Sequence, residues 1–141
     1  MPSPARCRHE VFVYPRPVEG CGVVEELRDA IVARDTERIA ACFAPDARLR
    51  ALTPHRLREE VGRDAIGRRY RAWFALESFT VTSSDVEPVA DRVRLRYRFH
   101  GRDPRKGWQE NEHTAYATVA KGRVVALNLS CAGFRPAEPP S

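Results

Sequence analysis

The chain has 141 residues, 43% of them hydrophobic and 30% charged, with a net charge of +5. That size and balance fit one globular domain, able to bury roughly two-thirds of the surface its unfolded form exposes. No apolar run approaches the roughly 18 residues of a membrane span, and the first ten residues, with Pro2, Pro4, Arg6 and Arg8 among them, lack the apolar segment of a secretory leader. A cytoplasmic protein with no membrane partner is therefore expected.

The basic residues are almost all arginine, with lysine only at Lys106 and Lys121. An isoelectric point near 9.4 permits an anionic partner, but the acidic residues are spread among the basic ones and no nucleic-acid-binding motif accompanies the charge, so nucleic acid is not expected as a partner. Cys7, Cys21, Cys42 and Cys131 form no Cys-x-x-Cys pair and match no zinc spacing. They are expected as reduced thiols, Cys42 and Cys131 serving as small buried hydrophobes. No metal ligand set and no cofactor fingerprint is present in the pattern.

In chain order, residues 1–21 read as an N-terminal extension, with a short strand over 10–14 cut off by Pro15 and Pro17. A helix follows from Val23 to about Arg34, where Val24, Leu27 and Ile31 form one apolar stripe. Asp35 is placed to cap a second, short helix over Thr36–Phe43, with Ile39, Cys42 and Phe43 inward. Ala44-Pro45 stops it. A strand then runs from Ala47 to Leu52, alternating apolar and arginine positions, and residues 53–61 read as a polar loop at a pocket mouth. Gly62-Arg63-Asp64 opens a third helix to about Leu76, with Ile66, Tyr70, Trp73 and Phe74 on one face.

Beyond Phe79 the chain reads as strand and turn. The stretch Arg92–Arg102 alternates most cleanly: Val93, Leu95, Tyr97 and Phe99 on one face, Arg92, Arg94, Arg96, Arg98 and His100 on the other. Such a strand packs one face and leaves the other in water. A hairpin over Gly107–Pro136 turns at Lys121-Gly122. Its first strand carries Glu110, Glu112 and His113, poor strand formers that need a reason to be there. The order of helices then antiparallel strands is the α+β arrangement: a curved, cone-shaped antiparallel or mixed sheet wrapped around three N-terminal helices and enclosing a pocket.

Three runs carry a family resemblance: Ala40-Ala-Cys-Phe-Ala-Pro-Asp-Ala47 after two helices; Gly62-Arg-Asp-Ala-Ile66 with Tyr70, Trp73 and Phe74; and Asn128-Leu-Ser-Cys-Ala-Gly-Phe-Arg-Pro136. Together they resemble the nuclear-transport-factor-2-like superfamily and, within it, the small stand-alone actinobacterial type of SnoaL-like domain, over roughly residues 22–136, with 137–141 left as a disordered tail. The resemblance implies the cone, a small-molecule ligand and a homodimer. It admits ketosteroid isomerases, polyketide cyclases, scytalone dehydratase and limonene epoxide hydrolase, and non-enzymatic binding or dimerising domains, so fold alone does not choose.

An isomerase of that kind needs a carboxylate base and an oxyanion hole of a Tyr and a protonated Asp. The base would lie on the strand after the second helix, which has no carboxylate beyond Asp46, so that reaction is disfavoured. The hydrolase's Asp-Arg-Asp set has no matching positions. The case for catalysis then rests on the hairpin. Glu110, Glu112, Thr114 and Tyr116 share one face; Asn111, His113, Ala115 and Ala117 share the other. Either face could look inward. Glu112 and His113 are the candidate proton-transfer residues of a cofactor-free cyclase, isomerase or dehydratase acting on a natural-product-like intermediate. Tyr70, Trp73, Phe74, Tyr97, Phe99, Trp108 and Tyr116 are the candidate substrate-binding residues. The alternative is a non-catalytic ligand-binding or dimerisation domain.

Overall fold

A computed structural model describes residues 20–140. The expected extension as far as residue 19, with its strand over 10–14, and Ser141 lie outside the described residues. The elements are α1 (Cys21–Val32), α2 (Thr36–Ala41), β1 (Phe43–Thr53), β2 (Arg56–Val61), α3 (Arg63–Trp73), β3 (Glu77–Val89), β4 (Arg92–Asp103), β5 (Gly107–Ala120), β6 (Arg123–Cys131) and β7 (Arg135–Pro136). The sheet runs β2-β1-β6-β5-β4-β3, with β7 on β5. Only β1 and β6 pair in parallel; the other neighbours are antiparallel. Among the described residues, this curved, unclosed sheet of seven strands with three helices on one face is the expected α+β cone.

Each helix ends where its local chemistry allows. Helix α1 begins at Gly20, whose φ is +95°. A Cβ there would lie 2.4 Å from Val119 Cβ of β5, so only glycine lets the helix start against the sheet. The Asp35 side chain caps α2 by accepting from Arg38 N at 3.1 Å. Helix α2 stops at Ala41, two residues before the expected end, because Phe43 enters the sheet opposite Val124. Helix α3 ends at Trp73, short of Leu76.

The polar run at 53–61 is a strand, not a loop. Arg56–Val61 pairs with β1 from Thr53↔Arg56 to Arg48↔Val61. It is an edge strand, mostly exposed, and its charges are what an edge carries to resist pairing with another chain. The Lys121-Gly122 turn is as expected, with φ of 53° and 74°, the double-positive geometry of a tight hairpin.

The core lies between the helices and the inner sheet face. Val24, Leu27, Ile31, Ile39, Ile66 and Tyr70 from the helices meet Leu49, Val93, Leu95, Ala115, Ala117, Leu127 and Leu129. Cys42 and Cys131 have free thiols, but Cys21 is disulfide-bonded, which the expectation of reduced cysteines missed. Burial pushes the Cys42 thiol up to about 11, which makes it an inert core side chain at neutral pH.

Candidate functional site

The alternation of β4 places Val93, Leu95, Tyr97 and Phe99 under the helices. Residues opposite one another in an antiparallel pair share a face, and β4 pairs with β5 through Val93↔Ala117, Leu95↔Ala115, Tyr97↔His113, Phe99↔Asn111 and Gly101↔Gln109. The face of β5 that looks inward is therefore the one carrying His113 and Asn111, with Ala115 and Ala117 leaving room for the helices. Among the described residues the buried polar side chains are Gln109, Asn111 and His113, with no carboxylate beside them.

His113 is 4% exposed and sits in an aromatic box. The rings of Trp73, Tyr97 and Phe99 meet it edge-on at 5.3, 5.2 and 5.1 Å. Its Nδ1 is 2.8 Å from the Tyr97 hydroxyl. Burial lowers its pKa from 6.5 to about 3, a penalty on the imidazolium of roughly 5 kcal/mol. At neutral pH the ring is neutral, with one nitrogen a donor and the other an acceptor. Burial also raises the Tyr97 and Tyr70 hydroxyls above the usual tyrosine range. Tyr70 lies against Trp73, with ring centroids 5.1 Å apart. Phe74 and Phe79 extend the wall, 4.9 Å apart, and Phe134, 51% exposed, stands edge-on to Phe99 at the rim.

Of the candidate binding residues, the structure brings Trp73, Tyr97 and Phe99 against His113, with Tyr70 and Phe74 behind them in the same aromatic cluster. Phe79 and Phe134 belong to the same wall and are not among the candidates from the sequence; Phe79 falls at the irregularity between Glu77 and Thr80, and its inward facing becomes readable only once Val81 is known to lie opposite Phe99. Trp108 and Tyr116 are on the other side of the sheet. Trp108 meets His100 with the ring planes tilted and the centroids 5.7 Å apart, and Tyr116 is 36% exposed opposite Arg94.

Glu112 is also on the outer face. It accepts from the Arg98 guanidinium at 3.2 Å, one rung of a ladder in which Arg96 meets Asp85 at 2.8 Å and Arg94 meets Glu87. The arginine row of β4 is thus matched by carboxylates from both neighbouring strands. Glu112 and His113 are separated by the sheet itself, so they do not form a dyad. Where β6 leaves β5, a cavity of about 260 Å³ opens on the outer face between the Arg98–Glu112 and Arg135–Glu110 pairs. Asn111 has a local duty there: its Oδ1 accepts from Glu112 N at 2.7 Å, and its Nδ2 donates to Cys131 Sγ at 3.2 Å. It satisfies a backbone N–H that the departing strand leaves without a ladder partner. Among the described residues no group of three or more His, Cys, Asp or Glu converges as a metal site.

The SnoaL-like domain family matches residues 24–127. Among solved structures, a candidate polyketide cyclase from Xanthomonas campestris pv. campestris is 19% identical, covers 79% of this chain and 88% of its own, and superposes with a TM-score of 0.65. A candidate polyketide cyclase from Sinorhizobium meliloti is 25% identical over 77% of this chain and 93% of its own, at 0.57. A protein with a ketosteroid isomerase-like fold from Catenulispora acidiphila, in complex with trimethylamine, is 14% identical over 76% of this chain and 82% of its own, at 0.62. No curated protein matches the sequence.

Proposed function

This chain belongs to the SnoaL-like family, and from that premise we propose that it is a cofactor-independent acid–base enzyme of the cyclase, isomerase or dehydratase type, acting on a polyketide-like intermediate. The observation that carries this reading is His113, a neutral imidazole buried in an aromatic box and hydrogen-bonded on one side to Tyr97. Tyr70, Trp73, Phe74, Tyr97 and Phe99 form the walls. Such a site suits a flat, mostly apolar molecule with a polar atom at His113.

Among the described residues no carboxylate bonds to His113, and the inward Glu60, opposite Leu49 on β2, is held by Arg69 at 2.8 Å, so the chemistry at His113 is the stabilisation of an enolate or enol. The substrate's α-hydrogen passes to water, the negative charge develops on the carbonyl oxygen, and the site's hydrogen bonding holds that oxygen until carbon is reprotonated or attacks a second carbonyl. The activated methylenes of a polyketide lose that hydrogen readily, so help with the oxygen alone is useful. Glu112, ion-paired on the outer face, takes no part in this step.

The test needs no knowledge of the natural substrate. In D₂O, α-hydrogen exchange of β-tetralone, followed by NMR, is expected to run on the order of a hundredfold faster with the protein than with His113→Leu, while Glu112→Gln matches the wild type. Exchange no faster than in buffer removes the enzyme. It leaves the second reading, a non-catalytic ligand-binding domain, which the lack of a carboxylate bonded to His113 favours.

We also propose that a second copy of the chain covers the outer sheet face. Leu52 and Leu57 face each other across β1 and β2, 58% and 45% exposed, and Tyr116 is on the same side. Beside them Arg50 and Glu59, 3.4 Å apart, offer both charge signs to a two-fold-related copy.

A further inference from the structure

Two hydroxyls and an imidazole lie in a row inside the cone, Tyr70, Tyr97 and His113. One hydrogen bond among them is of full strength in geometry, Tyr97 Oη to His113 Nδ1 at 2.8 Å. The Tyr70 hydroxyl is buried within electrostatic reach of the Tyr97 hydroxyl, yet it makes no well-formed hydrogen bond. His113 Nε2 has no hydrogen-bond partner among the described residues.

Two proton arrangements are open to this row. In the first, Tyr97 O–H donates to Nδ1 and the ring hydrogen is on Nε2. The Tyr97 oxygen then keeps a lone pair, and the Tyr70 O–H dipole can point towards it from beyond hydrogen-bonding geometry. In the second, Nδ1–H donates to the Tyr97 oxygen, and the Tyr97 hydrogen has no acceptor, because the Tyr70 oxygen is outside hydrogen-bonding geometry. Each arrangement leaves one hydrogen of the Tyr97–His113 pair without a protein acceptor, so the choice falls to the bond they share: a phenol is the stronger donor and an imidazole nitrogen the stronger acceptor, which favours the first. The first arrangement also leaves its one spare hydrogen, Nε2–H, on the atom that has no protein partner.

We propose that Tyr70 and Tyr97 are positioning residues, a one-way donor relay that holds His113 as the Nε2–H tautomer, so that the pocket presents a hydrogen-bond donor and selects a ligand bearing an acceptor, a ketone or enolate oxygen on a flat apolar frame. The ligand half of this proposal rests on the pocket reading above. An Nε2 that already carries hydrogen takes no proton from the substrate, so His113 acts on the oxygen and not as the base. An amine gains nothing from such a site except the faces of the aromatic rings.

The tautomer is read from the imidazole nitrogen resonances of the full chain, with His113 assigned by its loss in His113→Gln. The expected result is a protonated Nε2 and an unprotonated Nδ1 in the wild type. Tyr97→Phe, which keeps the ring, is expected to give a tautomer mixture, and Tyr70→Phe a smaller shift the same way. A protonated Nδ1 in the wild type, or no change in Tyr97→Phe, overturns the relay. Binding of β-tetralone, of tetralin and of the corresponding amine is then measured by calorimetry. The ketone is expected to bind about tenfold more tightly than the hydrocarbon, the gain from one hydrogen bond, and to lose that margin in His113→Leu. Equal binding of ketone and hydrocarbon, or a preference for the amine, overturns the donor selectivity and leaves the pocket standing. Binding of none of the three defeats the pocket, and the ligand half of the proposal with it, while the tautomer result still decides the relay.

Discussion

At neutral pH His113 is uncharged because the aromatic box replaces the water that would solvate an imidazolium. The same burial links it to stability. Its folded pKa, about 3, is below the unfolded value of 6.5, so the unfolded chain takes up a proton first as the solution is acidified. The stabilising contribution of the neutral ring is complete above pH 6.5 and is lost as pH falls towards the folded value, at about 1.4 kcal/mol per pH unit. Urea denaturation between about pH 6.5 and 5, above the range of ordinary carboxylates, is expected to show this slope, and His113→Gln to flatten it. An unchanged slope in the variant would mean that the imidazole is better hydrated than its burial implies. Asn111 is the other buried residue whose chemistry is mistaken easily. Its amide closes a gap in the backbone ladder, and Asn111→Ala is expected to destabilise by about 1–3 kcal/mol, the usual cost of a buried N–H without an acceptor, with ligand binding little altered; a large loss of ketone affinity at unchanged stability would place Asn111 in the site instead.

At the scale of the elements, alternation in β4 and β5 was legible from residue order, and the pairing of a neat apolar row with an arginine row is what the strands show. The edge strand β2 was not. Arg-Leu-Arg-Glu-Glu-Val has the composition of a loop, and only its hydrogen bonding to β1 makes it a strand. Helix ends were also displaced, since tertiary contacts such as Phe43 against Val124 outweigh the last turn of a short helix. Contact between elements makes its own demand at Gly20. Gly20→Ala forces a Cβ to within 2.4 Å of Val119 and a side chain onto φ +95°. Its cost is expected to exceed about 2 kcal/mol, read as a fall in Tm. Gly122→Ala, at a turn with open space around it, is expected to cost about 1 kcal/mol from positive φ alone. Equal losses at the two positions would show that the approach to Val119 relaxes freely.

Across the whole molecule, the sheet divides two surfaces with different work. The inner one is aromatic and neutral around His113; the outer one is a ladder of ion pairs with Leu52, Leu57 and Tyr116 among them. If a second copy covers the outer surface, Leu52→Asp with Leu57→Asp is expected to shift the chain from dimer to monomer in sedimentation velocity, because four buried carboxylates would face one another across a two-fold axis. A wild-type monomer at tens of micromolar, where a standard interface associates, removes the dimer without touching the pocket. The family and the cone were written in residues 40–47, 62–74 and 128–136, because turn residues and the period of the apolar positions depend on neighbours a few places away. So were the two faces of β5, since side chains alternate along any strand. Which of those faces turned inward was decided only by the folded chain. The period of a strand is a local property, but its phase is set by which face the helices cover, and that is a contact between residues far apart in sequence. His113 and Glu112 are neighbours in the chain and opposites in the protein for that reason.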